Sequence, residues 1–178
     1  DEAQVRAGAL ADDMMPDDIA VLLAFLKAQA ASQRLAAVPP IISSAYVIGA
    51  DQILVCEGYI INKPATIEVA KEQLLWLAGK PHKLLSAIVL LRDGQRIWHH
   101  LAVSSLTMRQ FDAAFADSYI QHIGDAALWS PGAYQIESLG MSLFSKIDGD
   151  YFEILGLPLL PLLGILREHG LLPVERYA

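Results

Sequence analysis

The sequence predicts an α/β fold, a mixed sheet flanked by helices, and three observations carry the expectation. Apolar residues recur at helical spacing between Pro16 and Arg34. Short apolar runs with β-branched residues follow, and Asp93-Gly94 divides two long apolar stretches as a hairpin turn does. Helices and strands alternate without strict βαβ regularity, which points to a mixed sheet.

In chain order the first element is a helix. Ile19, Leu22, Leu23, Leu26 and Ala30 share helical spacing, and Pro16-Asp17-Asp18 puts a proline and two acids where a helix start favours them. Val38-Pro39-Pro40 breaks the chain after it. Ala45 to Ala50 and Ile53 to Cys56 read as two strands around Asp51, closed by Glu57-Gly58. Thr66 suits the cap of a helix running to about Ala78. Ile67, Ala70, Leu74 and Leu77 form its apolar face, and Gly79 and Pro81 supply the stop. Leu84 to Leu91 and Gln95 to Val103 are two long antiparallel strands joined by Asp93-Gly94. Gln110 to Ile123 reads as a helix ended by Gly124, and Ser130-Pro131-Gly132 as a loop. Leu143 to Ile147 and Tyr151 to Leu155 flank the turn Asp148-Gly149-Asp150, and Pro158 opens a last helix that Gly170 closes.

Composition narrows the function classes. Of 178 residues, 54% are hydrophobic and 19% charged, so the chain folds around a core and is not a disordered segment. Thirteen Lys and Arg against twenty Asp and Glu give a net charge of −7, which repels polyphosphate backbones and argues against a nucleic-acid binder. A phosphate ligand must then meet a local cluster of lysines or a metal. The single cysteine, Cys56, excludes an intramolecular disulfide framework and multi-cysteine zinc modules, and a reducing, cytoplasmic compartment is expected. The most apolar stretch, Ile154 to Leu166, is interrupted by two prolines and two glycines and is too short for a bilayer. No signal-peptide pattern opens the chain.

Walker, dinucleotide-binding and nucleophile-elbow signatures are absent from the sequence, which leaves acids and lysines at element ends. Asp51 follows the apolar run Tyr46 to Ala50, so a strand is expected to carry its carboxylate to a sheet end; a strand-terminating turn residue is the equal alternative. Lys63 lies in Asn62-Lys63-Pro64, where proline restricts its direction, although the residues alone favour a solvated loop lysine. Lys27 sits beside the apolar stripe of its helix, as a snorkelling lysine also would. Nothing in spacing alone makes ligands of Glu2 and Glu137. His99 and His100 point to opposite faces of one strand, His169 suits a helix C-terminus, and His82 and His122 border loops and read as surface residues. Asp148-Gly149-Asp150 lacks the pattern of a calcium loop, and Cys56 reads as an inert core residue.

Several ordered motifs nevertheless resemble the Maf family of nucleotide pyrophosphatases. These are Val47-Ile48-Gly49-Ala50-Asp51-Gln52, Asn62-Lys63-Pro64-Ala65, and Ala78-Gly79-Lys80-Pro81-His82. Further on come the stretch from Pro131 to Gly140, Ile147-Asp148-Gly149-Asp150-Tyr151, and Leu155-Gly156-Leu157-Pro158-Leu159. Asp1-Glu2 and Leu26-Lys27-Ala28 fall where the family has an acidic pair and a helical lysine. The resemblance covers nearly the whole chain, and ordered motifs are more specific than any one of them.

It implies one Maf-like domain over residues 1–178, with an elongated sheet, two lobes and a central cleft, often dimeric. A divalent metal, Mg²⁺ or Mn²⁺, would help water attack the α-phosphorus of a nucleoside triphosphate, giving a monophosphate and pyrophosphate. Asp51 would be the catalytic carboxylate and a metal ligand, Glu2 and Glu137 would complete the acidic wall, and Lys27, Lys63 and Gln52 would bind substrate. The implied partners are the nucleotide and a second copy of the chain, with no nucleic acid and no membrane. The family opens with a strand and a Ser-x-Ser-Pro-Arg-Arg phosphate loop, which would precede Asp1. Glu153 stands where the family often has Asn, and Ser86-Ala87 where it often has Thr-Gly. A nucleotide-binding, regulatory role with little turnover, as in inhibition of septum formation, is the alternative.

Overall fold

Residues 13–37 and 45–172, with Val5, Gly8 and Ala9, are described by a computed structural model of the chain. The Val38-Pro39-Pro40 break and Glu2 lie outside the described residues. Helix α1 spans Pro16–Ala36, with the proline in its first turn and Asp17 and Asp18 beside the positive end of its dipole. Its buried side differs from the expected stripe: Ile19, Ala20, Leu23, Ala24 and Ala28 are buried, while Leu22 and Leu26 are half-buried and Ala30 is exposed. The small residues turn inward because the helix backbone packs close to a strand.

That strand, β1, runs unbroken over Tyr46–Cys56. The two runs expected around Asp51 are therefore one element, and Asp51 lies within a strand and not at its end. β2 (Tyr59–Ile61) pairs antiparallel with β1 across Glu57-Gly58, both at positive φ. Helix α2 is Ile67–Leu77, capped by Thr66, whose hydroxyl accepts from the Val69 amide at 3.3 Å. β3 (Pro81–Arg92) and β4 (Gln95–Met108) form the long hairpin. Asp93 and Gly94 both take positive φ, 51° and 79°, as a two-residue primed turn requires.

Helix α3 (Ala113–Ile123) starts later than the sequence suggests because Asp112 caps it, accepting from the Phe115 amide at 2.9 Å. Short 3₁₀ turns at Gly124–Leu128, Pro131–Ala133 and Leu139–Leu143 lead to β5, Phe144–Asp148. The run after the Asp148-Gly149-Asp150 turn is a single helical turn, α4 (Tyr151–Ile154), since Asp150 accepts from the amides of Phe152 and Glu153. Helix α5 is Leu159–Glu168, entered through Pro158.

The strand order is β2-β1-β3-β4-β5. Ala45, before β1, bonds Asp93, after β3, and Cys56, at the far end of β1, reaches the carbonyl of Pro81 at the start of β3. β1 and β3 are thus antiparallel, as are β1 with β2 and β4 with β5, so the described pairings are antiparallel where a mixed sheet was expected. β5 pairs with the last part of β4 through a register shift at Thr107/Met108.

The chain divides into two compact units. One comprises residues 1–52, 86–102 and 156–178; the other comprises 53–85 and 103–155. In the first, α1 and the apolar β3 segment from Ala87 to Leu91 supply the buried side chains. In the second, Leu54, Leu74, Leu77, Leu106, Met108, Leu143 and their neighbours form a continuous core. No helix among the described residues is long and apolar enough to cross a membrane.

Candidate active site

Period-two alternation puts Gly49 and Asp51 on the same buried face of β1. Against Gly49 the first unit sets the Ala24–Ala28 turn of α1. A Cβ on residue 49 would stand 2.7 Å from the amide nitrogen and Cβ of Ala28, closer than real atoms approach. Glycine here lets the helix backbone lie directly on the strand. Lys27 belongs to that same turn, and its ammonium is ion-paired with Asp51 Oδ1. Asp51 is only 7% exposed, whereas the Lys27 side chain is 46% exposed. A carboxylate withdrawn this far from water is costly to keep charged without a cation, and Lys27 offsets that cost while its own stem stays partly solvated.

Gln52, next along β1, donates from Nε2 to the hydroxyl of Ser86 on β3 at 2.7 Å. Ser86 is a buried hydroxyl inside an otherwise apolar run. Gly156, at φ +96°, carries the Leu155-to-Leu159 turn past Gln52, where a Cβ would come within 3.8 Å of the glutamine side chain. The first unit therefore holds two polar pairs on successive residues of β1, Lys27 with Asp51 on one face and Gln52 with Ser86 on the other.

Lys63 and Glu137 belong to the second unit. Lys63 is exposed in the loop from β2 to α2, just before the buried Pro64, and Glu137 is exposed between the second and third 3₁₀ turns. Among the described residues no three His, Cys, Asp or Glu side chains gather as a group able to hold a metal ion.

His82 departs from the surface reading. It is buried on β3, 3% exposed, and its Nε2 shares a hydrogen bond of 2.9 Å with the Tyr134 hydroxyl. Phe144 packs edge-on to Tyr134, with ring centroids 4.9 Å apart. Burial pushes the His82 imidazole down to about 4, with the backbone carbonyl of Lys80, as an acceptor, acting the other way. Burial also raises Tyr119 to about 12 and Tyr134 further, so this cluster is uncharged near neutral pH. Cys56 fits its expected role: it is buried, and burial raises its thiol. His169 caps α5 and packs on Tyr46, at 5.9 Å between ring centroids.

Comparison with known proteins matches residues 1–169 to the family model described as Maf-like protein. The chain belongs to the Maf family. Among its relatives in that family, a protein of Caulobacter vibrioides named nucleoside triphosphate pyrophosphatase is 47% identical, over 98% of this chain and 83% of the relative. A Paramagnetospirillum magneticum protein of the same name is 46% identical over 96% of this chain and 84% of the relative. A Brucella abortus protein named 7-methyl-GTP pyrophosphatase is 47% identical over 94% and 80%. The Maf membership was legible in the sequence, but the packing roles of Gly49, Ser86 and His82 were not. A glycine inside a strand run signals close backbone approach, and a lone serine in an apolar run signals a buried hydrogen bond. His82 carries no such signal, since only the fold buries it.

Proposed function

We propose that the chain is a metal-dependent nucleoside triphosphate pyrophosphatase. Water attacks the α-phosphorus, the α–β phosphoanhydride bond breaks, and a nucleoside monophosphate, pyrophosphate and a proton leave. The observation that carries this reading is the 47% identity across 98% of the chain to a relative of that name. At residue level it is supported by Asp51, buried in its motif and ion-paired to Lys27.

In this reading the Asp51 carboxylate accepts the proton that the attacking water gives up. Lys27 holds that carboxylate ionised and in place. Lys27 and Lys63 are each assigned to the substrate as a compact positive charge. Gln52, held by Ser86, is the amide the reading assigns to substrate binding. Mg²⁺ or Mn²⁺ fits this donor set, because such ions need only one or two carboxylates beside substrate phosphate oxygens. Asp51 supplies one, and Glu2 and Glu137 are the acids the family resemblance adds. When bound, the ion neutralises phosphate charge and acts as a Lewis acid.

Asp51→Asn keeps the side chain's size and removes the proton acceptor. Pyrophosphate release with Mg²⁺ or Mn²⁺ is expected to fall about 100-fold or more, and an unchanged rate would remove Asp51 from the mechanism. Nucleotide that raises the melting temperature of the unaltered protein without any pyrophosphate release would favour the regulatory, binding-only reading instead. A panel that includes 7-methyl-GTP tests whether this chain shares the substrate in the names of its Brucella relatives. The proposal also places the protein in the cytoplasm as a homodimer. Exposed Leu157, Leu160 and Leu171 in the first unit offer apolar surface for pairing. A monomeric mass by light scattering would exclude the dimer.

A further inference from the structure

The second unit contains a tie between its two motif-bearing loops. Gln73, on α2, uses both ends of its amide: Nε2 donates to the Asn62 carbonyl at 2.9 Å, and Oε1 accepts from the Gly132 amide at 3.1 Å. The Asn62 carbonyl belongs to the same planar peptide as the Lys63 N–H, so this bond fixes the peptide plane that launches Lys63. Pro64 restricts the backbone of Lys63 from the other side and is itself buried. At the other end, Gly132 is buried at φ +75°, where a Cβ would lie 3.0 Å from Leu54 and Leu77. The loop beyond it closes on itself, the amides of Ser138 and Gly140 both donating to the Gln135 carbonyl at 3.1 Å around Glu137. Thr66 caps α2, and Ala70, Leu74 and Leu77 bury its other face, so Gln73 projects from a fixed helix.

We infer that Gln73 is a positioning residue, which holds the Lys63 loop and the Glu137 loop in register for a triphosphate. The inference rests on the pyrophosphatase reading above. A purely structural tie would contribute to stability and leave nucleotide affinity alone, whereas a positioning tie acts through Lys63.

The test measures the Kd of a non-hydrolysable α,β-methylene nucleoside triphosphate, with KM and kcat for pyrophosphate release, in full-length protein. For Gln73→Leu, Kd and KM are expected to rise about tenfold with kcat changed less than about threefold, the size set by two hydrogen bonds of ordinary net strength. In a Lys63→Ala background the Gln73→Leu penalty is expected to shrink below about twofold, and beside the exposed control Lys146→Ala to persist in full. If Gln73→Leu does not fold, Gln73→Glu keeps the acceptor for Gly132 and loses the donor to Asn62, with an expected rise of about threefold. Unchanged Kd and KM in a folded variant, or an equal penalty with and without Lys63, would overturn the inference. Failure of the unaltered protein to bind the analogue and release pyrophosphate would overturn the pyrophosphatase reading itself.

Discussion

The two units bury polarity in opposite ways. The first buries a charge, the Asp51 carboxylate, and answers it with a half-exposed ammonium from the next layer. The second buries neutral groups, His82, Tyr119 and Tyr134, and leaves its charges, Lys63 and Glu137, exposed on loops. A buried charge suits a group that must act on a proton at the site, because low polarity strengthens each electrostatic contact it makes. Exposed charges on tied loops suit groups that meet a ligand from solvent, where desolvation is deferred until binding. The second unit also has an ion pair, Lys71–Asp117, but its acidic side chain is 59% exposed where that of Asp51 is 5%, so it belongs to a different energetic class from Lys27–Asp51.

The largest effect that would sharpen this contrast is the acid response of the neutral cluster. The folded state holds His82 near 4, below the ordinary value of 6.5, so below pH 6.5 the unfolded chain takes up a proton that the folded chain refuses. His82 therefore contributes stability that is complete above pH 6.5 and is lost as pH falls toward 4, in all about 3 kcal/mol. Urea titrations from pH 7.5 to 4 are expected to show this decline, and His82→Phe to flatten it. A decline of the same size in the variant would assign the acid sensitivity to other groups.

The next effect concerns the buried charge. Lys27→Met leaves the Asp51 carboxylate in place without its ammonium, and is expected to destabilise the protein by about 2 kcal/mol at pH 7. Adding Asp51→Asn is expected to recover part of that loss, because the buried charge is gone. The smallest effect is the control: Lys71→Met, which breaks the pair with the exposed Asp117 carboxylate, is expected to cost less than about 1 kcal/mol. Equal losses from the two lysine variants in thermal unfolding would erase the distinction between the units.

Much of the secondary structure was legible because its signals are local. Pro16 and two acids start α1, Thr66 caps α2, and Asp93-Gly94 turns the long hairpin, each through backbone chemistry within four residues. Two element boundaries moved where a side chain acts on its neighbours' amides. Asp112 shortens α3, and Asp150 folds the following run into a helical turn. Site residues show the same division. The motif around Asp51 stood out as text, yet its place in mid-strand and its partner followed from the long-range packing of α1 on Gly49. Gln73 carries no local signal, because each of its partners is a backbone group distant in sequence.

By itself the sequence determined the periodicities, many of the caps and turns, and the family, since each is written in residues near one another along the chain. Tertiary structure alone decided which polar groups left water and which partner each then met. That choice turns on the cost of desolvation, which depends on everything packed around a group and not on its neighbours in the chain.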